Sequence, residues 1–199
     1  MESWFCIWND LFRQLAKARV ANPKNVLNLV PNPLQYQEFT SSHQKILIMI
    51  NDKLDFRFLK VKNGKPFFAI VNLEVSRSDT GNKIVEEYLG EGWKSQGSLE
   101  SVPMNSYEPW KKAVKNGLEF AFSKSNEKWE VKIKRLEGRI GTDTNPTIVG
   151  FATILAFCEQ TNLKLDLDLR NEIENFTFKS WENKNDERIP NFINLVYDK

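Results

Sequence analysis

Residues 54–75 read LDFRFLKVKNGKPFFAIVNLEV, and this stretch decides the fold. Leu54, Phe56 and Phe58 alternate with Asp55 and Arg57, the period-two pattern of a strand with one buried face, before the phase changes at Leu59. Asn63-Gly64 follows, a pair favoured in type I′ turns because both central residues need positive φ. The return strand, 67–75, places Phe67, Ala69, Val71, Leu73 and Val75 on one face. Its other face begins with Phe68 and Ile70 and ends with Asn72 and Glu74. A strand apolar on both faces at one end is central or covered by helices there, and turns polar where it nears solvent.

Upstream, residues 44–50 (QKILIMI) form a short apolar run rich in β formers and predict a preceding strand. Trp4, Trp8, Leu11 and Leu15, widened by Phe5 and Phe12, predict a helix from Ser3, its N-cap, to Val20. Pro23, Pro31 and Pro33 put a loop between the two. Downstream, Ile84, Val85, Tyr88 and Leu89 share a helical face, which predicts a short helix ended by Gly90 and Gly92. Ser106 as N-cap and Pro109 in the first turn open a second helix carrying Trp110, Val114, Leu118 and Phe122, with Gly117 an unfavourable residue inside it. Trp129, Val131 and Ile133 alternate with Glu130, Lys132 and Lys134, a strand over 129–134.

Asn145-Pro146 opens a largely apolar helix through Ile148, Phe151, Leu155 and Cys158, which belongs in the core. Leu163, Leu165, Leu167 and Leu169 alternate with polar residues and favour a strand, although Arg170 to Phe176 suit a helix equally well. Polar residues dominate after Trp181, so 181–199 reads as a loosely packed tail on a single globular domain of residues 1–180. The expected fold is α+β: a central, mainly antiparallel sheet backed by the helices that start at Ser3 and Asn145.

The chain of 199 residues has the length of one ordinary domain. Its 14 Phe and 6 Trp fill a sizeable core and leave aromatics for a binding face. No apolar run is long enough for a transmembrane helix, and the first residues lack the basic n-region and cleavage site of a secretory signal. Cys6 and Cys158 are too far apart in pattern to suggest a disulfide framework, which points to a reducing, cytoplasmic setting. A net charge of +2 gives no global field that would steer the chain onto nucleic acid or an anionic membrane.

Several chemistries fall away. The single histidine, His43, lies in a polar Thr-Ser-Ser-His-Gln segment, and no Gly-x-Ser-x-Gly nucleophile elbow accompanies it. One His and two distant Cys do not make an ordinary zinc site. Gly90 to Ser98 has the glycines of a phosphate loop without the Lys that must follow the last of them.

Two groups of residues remain. Asp55 and Glu74 are spaced so that a hairpin returns both carboxylates to one end of the sheet. The order helix, three antiparallel strands, helix, strand resembles the core of the PD-(D/E)xK nuclease-like superfamily, a resemblance that covers about residues 44–90. That resemblance implies Asp55 and Glu74 as ligands to Mg²⁺ or Mn²⁺ in metal-dependent phosphodiester cleavage, or an inactive relative that keeps the fold. No Pro precedes Asp55, and Ser76 stands where the family has its Lys, so Lys83 or Lys60 would take that role.

The second group is a set of binding residues. Lys124, Lys128, Lys132, Lys134 and Arg135, with Lys111, Lys112 and Lys115, form a basic strip suited to a phosphate backbone but interrupted by Glu127, Glu130 and Glu137. Trp93, Trp110 and Trp181 stand in or beside polar loops, and Trp is the residue most enriched at binding hot spots. The expected function is a non-catalytic, cofactor-free module that binds a macromolecule, protein before nucleic acid, through Trp93, Trp110, Trp181, Lys128, Lys132 and Lys134. The metal-dependent nuclease is the alternative.

Overall fold

The computed structural model describes residues 55–182 and 185–198. The helix expected over 3–20, the strand over 44–50, His43 and Cys6 lie outside these residues. Asn63 and Gly64 adopt φ of 52° and 74°, the doubly positive geometry of the I′ turn. The turn joins β1 (Asp55–Lys62) to β2 (Lys65–Arg77) in a register that sets Asp55 against Asn72 and Lys62 against Lys65. On its other side β2 pairs antiparallel with β5 (Trp129–Gly138).

The sheet is mixed. Residues 83–86, expected in a helix, form a strand instead: β3 (Lys83–Glu86) runs parallel to β5 on the edge that β2 leaves free. Ile84 and Val85 are β-branched and fit that edge, so an available ladder overrode a weak helical period. The strand order is β1-β2-β5-β3, and a two-residue β4 (Glu100–Ser101) pairs with the far end of β5.

One face of this sheet builds the core with α1 (Glu108–Lys124) and α2 (Pro146–Thr161). Phe67, Ala69, Val71 and Leu73 from β2 meet Val131, Ile133 and Leu136 from β5 there, all of them buried. Phe58 packs edge-on to Phe151 at 5.3 Å, and Trp129 to Phe157 at 5.7 Å. The helices approach closely because two glycines face each other. A Cβ on Gly117 would lie 2.6 Å from the Gly150 carbonyl oxygen, and one on Gly150 would lie 2.7 Å from that of Ala113. Gly117, unfavourable for α1 alone, is required by the packing of α1 on α2.

Helix starts follow side-chain chemistry in two cases of three. Asn145 caps α2 by accepting from the Ile148 N–H at 3.0 Å. Asp166 caps α3 (Leu167–Phe178) by accepting from Asp168 and Leu169, so the expected strand over 163–169 is a helix from Leu167 onward. The alternation fails at Leu167, which is exposed, while Leu163, Leu165 and Leu169 pack on the core. For α1 the cap is Tyr107 rather than Ser106. It has φ 64° and makes no side-chain cap bond, and its hydroxyl donates instead to Glu100.

Within residues 181–199, read as a loosely packed tail, the described residues hold a short 3₁₀ turn (Asn185–Glu187) and a small hairpin of β6 (Pro190–Asn191) and β7 (Val196–Tyr197). Pro190 and Phe192 are buried. Leu73, fully buried on β2, is expected to lose about 2–5 kcal/mol of stability on truncation to Ala, and the partly buried Leu155 less. Denaturant midpoints of the two variants check that ranking, and equal shifts would mean the core is centred elsewhere.

Candidate functional site

The sheet face opposite α2 turns polar toward the end where Asp55 pairs with Asn72, and a β-bulge organises it there. The β2–β5 register slips between Asn72 and Leu73, so Asn72 opposes Arg135 whereas Leu73 opposes Ile133. Lys134 and Arg135 are thereby both turned to the polar side, and Leu136 returns to the core. Gln160 of α2 donates to the Leu73 carbonyl at the slip, at 3.0 Å. The alternation read over 129–134 breaks at this bulge, yet the strand continues to Gly138.

Cations and carboxylates interleave on this face. Arg135 reaches Asp55 through Nη1 at 3.0 Å and donates to Glu137 from Nη2 at 3.0 Å, while its Nε lies 2.9 Å from the other Glu137 oxygen as an ion pair without a hydrogen bond. The Asp55 side chain is only 3% exposed, and Asn72 donates to its other oxygen at 2.8 Å. Glu74 is bridged by Lys132 at 3.2 Å and Lys134 at 3.4 Å, and Lys134 also pairs with Glu87. The hydrogen bond from Lys132 is the largest cause holding the Glu74 carboxyl below its ordinary range, and Lys134 adds to it. Glu87 in turn raises the Lys134 ammonium above its usual value. By sign, what Glu74 contributes is present above the ordinary carboxylate range and lost in acid. What Lys134 contributes is present below the ordinary lysine range and lost in alkali. Glu74 and Lys134 are therefore both charged across neutral pH.

Together Asn72, Glu74, Lys134, Arg135 and Glu137 floor a cavity of about 540 Å³, and Leu89 and Ser101 stand on its rim. The rim is a loop held to the sheet by backbone bonds. Leu89 donates to the Lys134 carbonyl, Gly90 to Val102, and Gly92 to Ser101 at 2.7 Å. Leu89 is 81% exposed and Trp93 62%. Tyr107 ties the loop down. Its hydroxyl donates to Glu100 at 2.7 Å, and Glu100 accepts also from the Ile140 N–H at 3.0 Å. Burial, with that carboxylate beside it, pushes the Tyr107 phenol up to about 12, so the anchor persists at any ordinary pH.

The expected binding residues separate in the structure. Trp93 is exposed. Trp110 is 3% exposed and part of the core, because its place on the apolar stripe of α1 outweighs the polar loop before it. Trp181 is half-buried and packs against the core. Lys132 and Lys134 are paired on the cavity face, and Lys128 is exposed between α1 and β5. Elsewhere in the basic strip, Lys111 is buried against Glu108, and Lys115 pairs with Glu86 at 2.7 Å.

Asp55 and Glu74 face the same side of the sheet, and each is already served by a different resident cation. Lys83, on β3 rather than a helix, pairs with Glu130 at 3.1 Å, and Lys60 pairs with Glu174. Among the described residues no group of three His, Cys, Asp or Glu side chains is placed to hold a metal ion. No helix among them is long and apolar enough to cross a membrane. No family model and no curated protein matches the chain. Leu89 and the charged cavity floor were not foreseen as parts of one surface. Trp93, beside a polar loop, and Glu74, Lys134 and Arg135, singled out by charge and spacing, carried a sequence signal, but none of it placed them on one face.

Proposed function

We propose that the protein is a non-catalytic, cytoplasmic module that binds a protein partner through the loop bearing Trp93 and the charged cavity beside it. The observation that carries this reading is an indole left 62% exposed on a loop whose backbone is fixed by the sheet and by Tyr107. An ordered exposed Trp costs little further conformational entropy on binding, and such residues anchor hot spots. Leu89 extends the apolar contact toward the cavity. The paired charges on the cavity floor favour a partner of mixed charge over a polyanion, since few of these lysines are left to neutralise phosphates.

Trp93→Ala should leave the melting temperature unchanged, because the side chain buries little. It should weaken partner association by roughly 30-fold or more, the equivalent of about 2 kcal/mol for a hot-spot residue. A photo-crosslinking residue at position 93 in the cell identifies the partner. Affinity of the purified pair, with exposed Lys164→Ala, away from this loop, as the control, then gives the ratio. Equal affinity for the Trp93→Ala and parent chains would remove this surface from the interface.

A further inference from the structure

The tip of the β1–β2 hairpin carries an unbalanced cluster of positive charge. Lys60, Lys62 and Lys65 fall on the sheet face that buries Phe58 and Phe67, beyond the edge of the core, where α3 ends. Lys60 is neutralised by Glu174. Lys62 and Lys65 stand directly opposite each other in the ladder, a like-charge pairing that destabilises a hairpin. Lys62 lies 4.3 Å from the centre of the Phe178 ring and donates to the Asn175 side-chain oxygen at 3.3 Å, so neither of its partners carries charge. Lys65 and, at the end of α3, Lys179 have no side-chain partner among the described residues. These three lysines line a cleft of about 260 Å³ in which Glu182 is the one carboxylate among the described residues.

From this arrangement we infer that the cleft is an anion site for a phosphate dianion, free or as the terminal monoester of a small molecule. Three ammonium groups against one carboxylate leave an excess that a dianion balances. Each ammonium offers charge-assisted donors, and the Asn63 side-chain amide at the turn supplies neutral ones. The cleft is smaller than the roughly 300–1,000 Å³ of sites that enclose drug-sized ligands, so it suits a phosphate with a short ester and leaves a nucleoside outside. A bound dianion would also relieve the Lys62–Lys65 repulsion that the free hairpin carries. The inference does not depend on the Trp93 surface, so the two readings fail separately.

The test titrates the full chain with inorganic phosphate and, in a second arm, glycerol phosphate, against sodium chloride at matched ionic strength, by calorimetry and melting temperature. Saturable binding and a rise in melting temperature with either phosphate, absent with chloride, are expected. Preference between the two arms tells a free anion from an ester. Affinity should rise from about pH 5 to 7 for the ester, as its second charge forms near pH 6. Lys62→Gln with Lys65→Gln should lower phosphate affinity at least about tenfold. Lys94→Gln, a lysine paired with Glu91 on the Trp93 loop, should leave it unchanged. Lys65→Glu, which sets an opposite charge across from Lys62, should raise the melting temperature in phosphate-free buffer and abolish the phosphate response. Three results would each overturn the assignment: a phosphate effect no larger than that of chloride, undiminished binding in the double variant, or binding of oligonucleotides through these lysines without monoester binding.

Discussion

Phe192→Ala is expected to cost about 3–5 kcal/mol, as much as a truncation anywhere in the sheet. The ring is 1% exposed although it belongs to a stretch of mostly polar sequence. Its edge occupies the space over Gly150, where an added Cβ would come within 2.5 Å of it, and it meets Phe176 at 6.1 Å in an edge-on contact. Asn116 on α1 holds the segment in place by donating to the Pro190 carbonyl at 2.8 Å. The ring thus seals the seam that Gly117 and Gly150 open between the helices, and its removal leaves a cavity that backbone-limited helices cannot close. Urea unfolding should show a large fall in midpoint at unchanged slope. Gly150→Ala should be destabilising by overpacking, and less so once Phe192 is Ala, since the two changes share one space. An unchanged midpoint for Phe192→Ala would mean that residues 181–198 are as loosely attached as their composition suggests.

That contrast marks what sequence makes legible here. The Asn63-Gly64 turn and the Asn145-Pro146 helix start were readable because each is local: the turn geometry and the cap use residues within four positions. The burial of Phe192 was not readable, because it depends on a gap created by glycines on two other elements. β3 was missed for the same reason. Ile84 and Val85 suit a helix face or a strand, and only the open edge of β5 chooses between them. The bulge at Lys134 and Arg135 reads, in sequence, as the end of alternation, and only pairing with β2 shows that the strand continues. At the candidate site Trp93 stood out by composition alone. The partner of Asp55 did not, since Arg135 lies 80 residues away in sequence and only the strand pairing brings it there.

The Asp55–Arg135 pair gives the second large effect, and it bears directly on the nuclease alternative. Arg135→Met keeps much of the side chain's volume but strands a carboxylate that is only 3% exposed, with Asn72 its remaining hydrogen-bond partner among the residues that hold it. Breaking such a pair from one side is expected to cost about 3 kcal/mol, near the lower end for buried ion pairs because Arg135 itself is partly exposed. Asp55→Asn in the same background should recover much of the loss, since the charge that needed a partner is gone; a full double-mutant cycle measures the coupling. If Asp55 and Glu74 were instead metal ligands, Mn²⁺ would stabilise the parent chain by mass action, and both Asp55→Asn and Glu74→Gln would abolish the shift. With Arg135, Lys132 and Lys134 already neutralising those carboxylates, millimolar Mn²⁺ is expected to leave the melting temperature where it is. A rise of several degrees, lost in both variants, would make the ion pairs the resting state of a metal site and restore the nuclease-like reading.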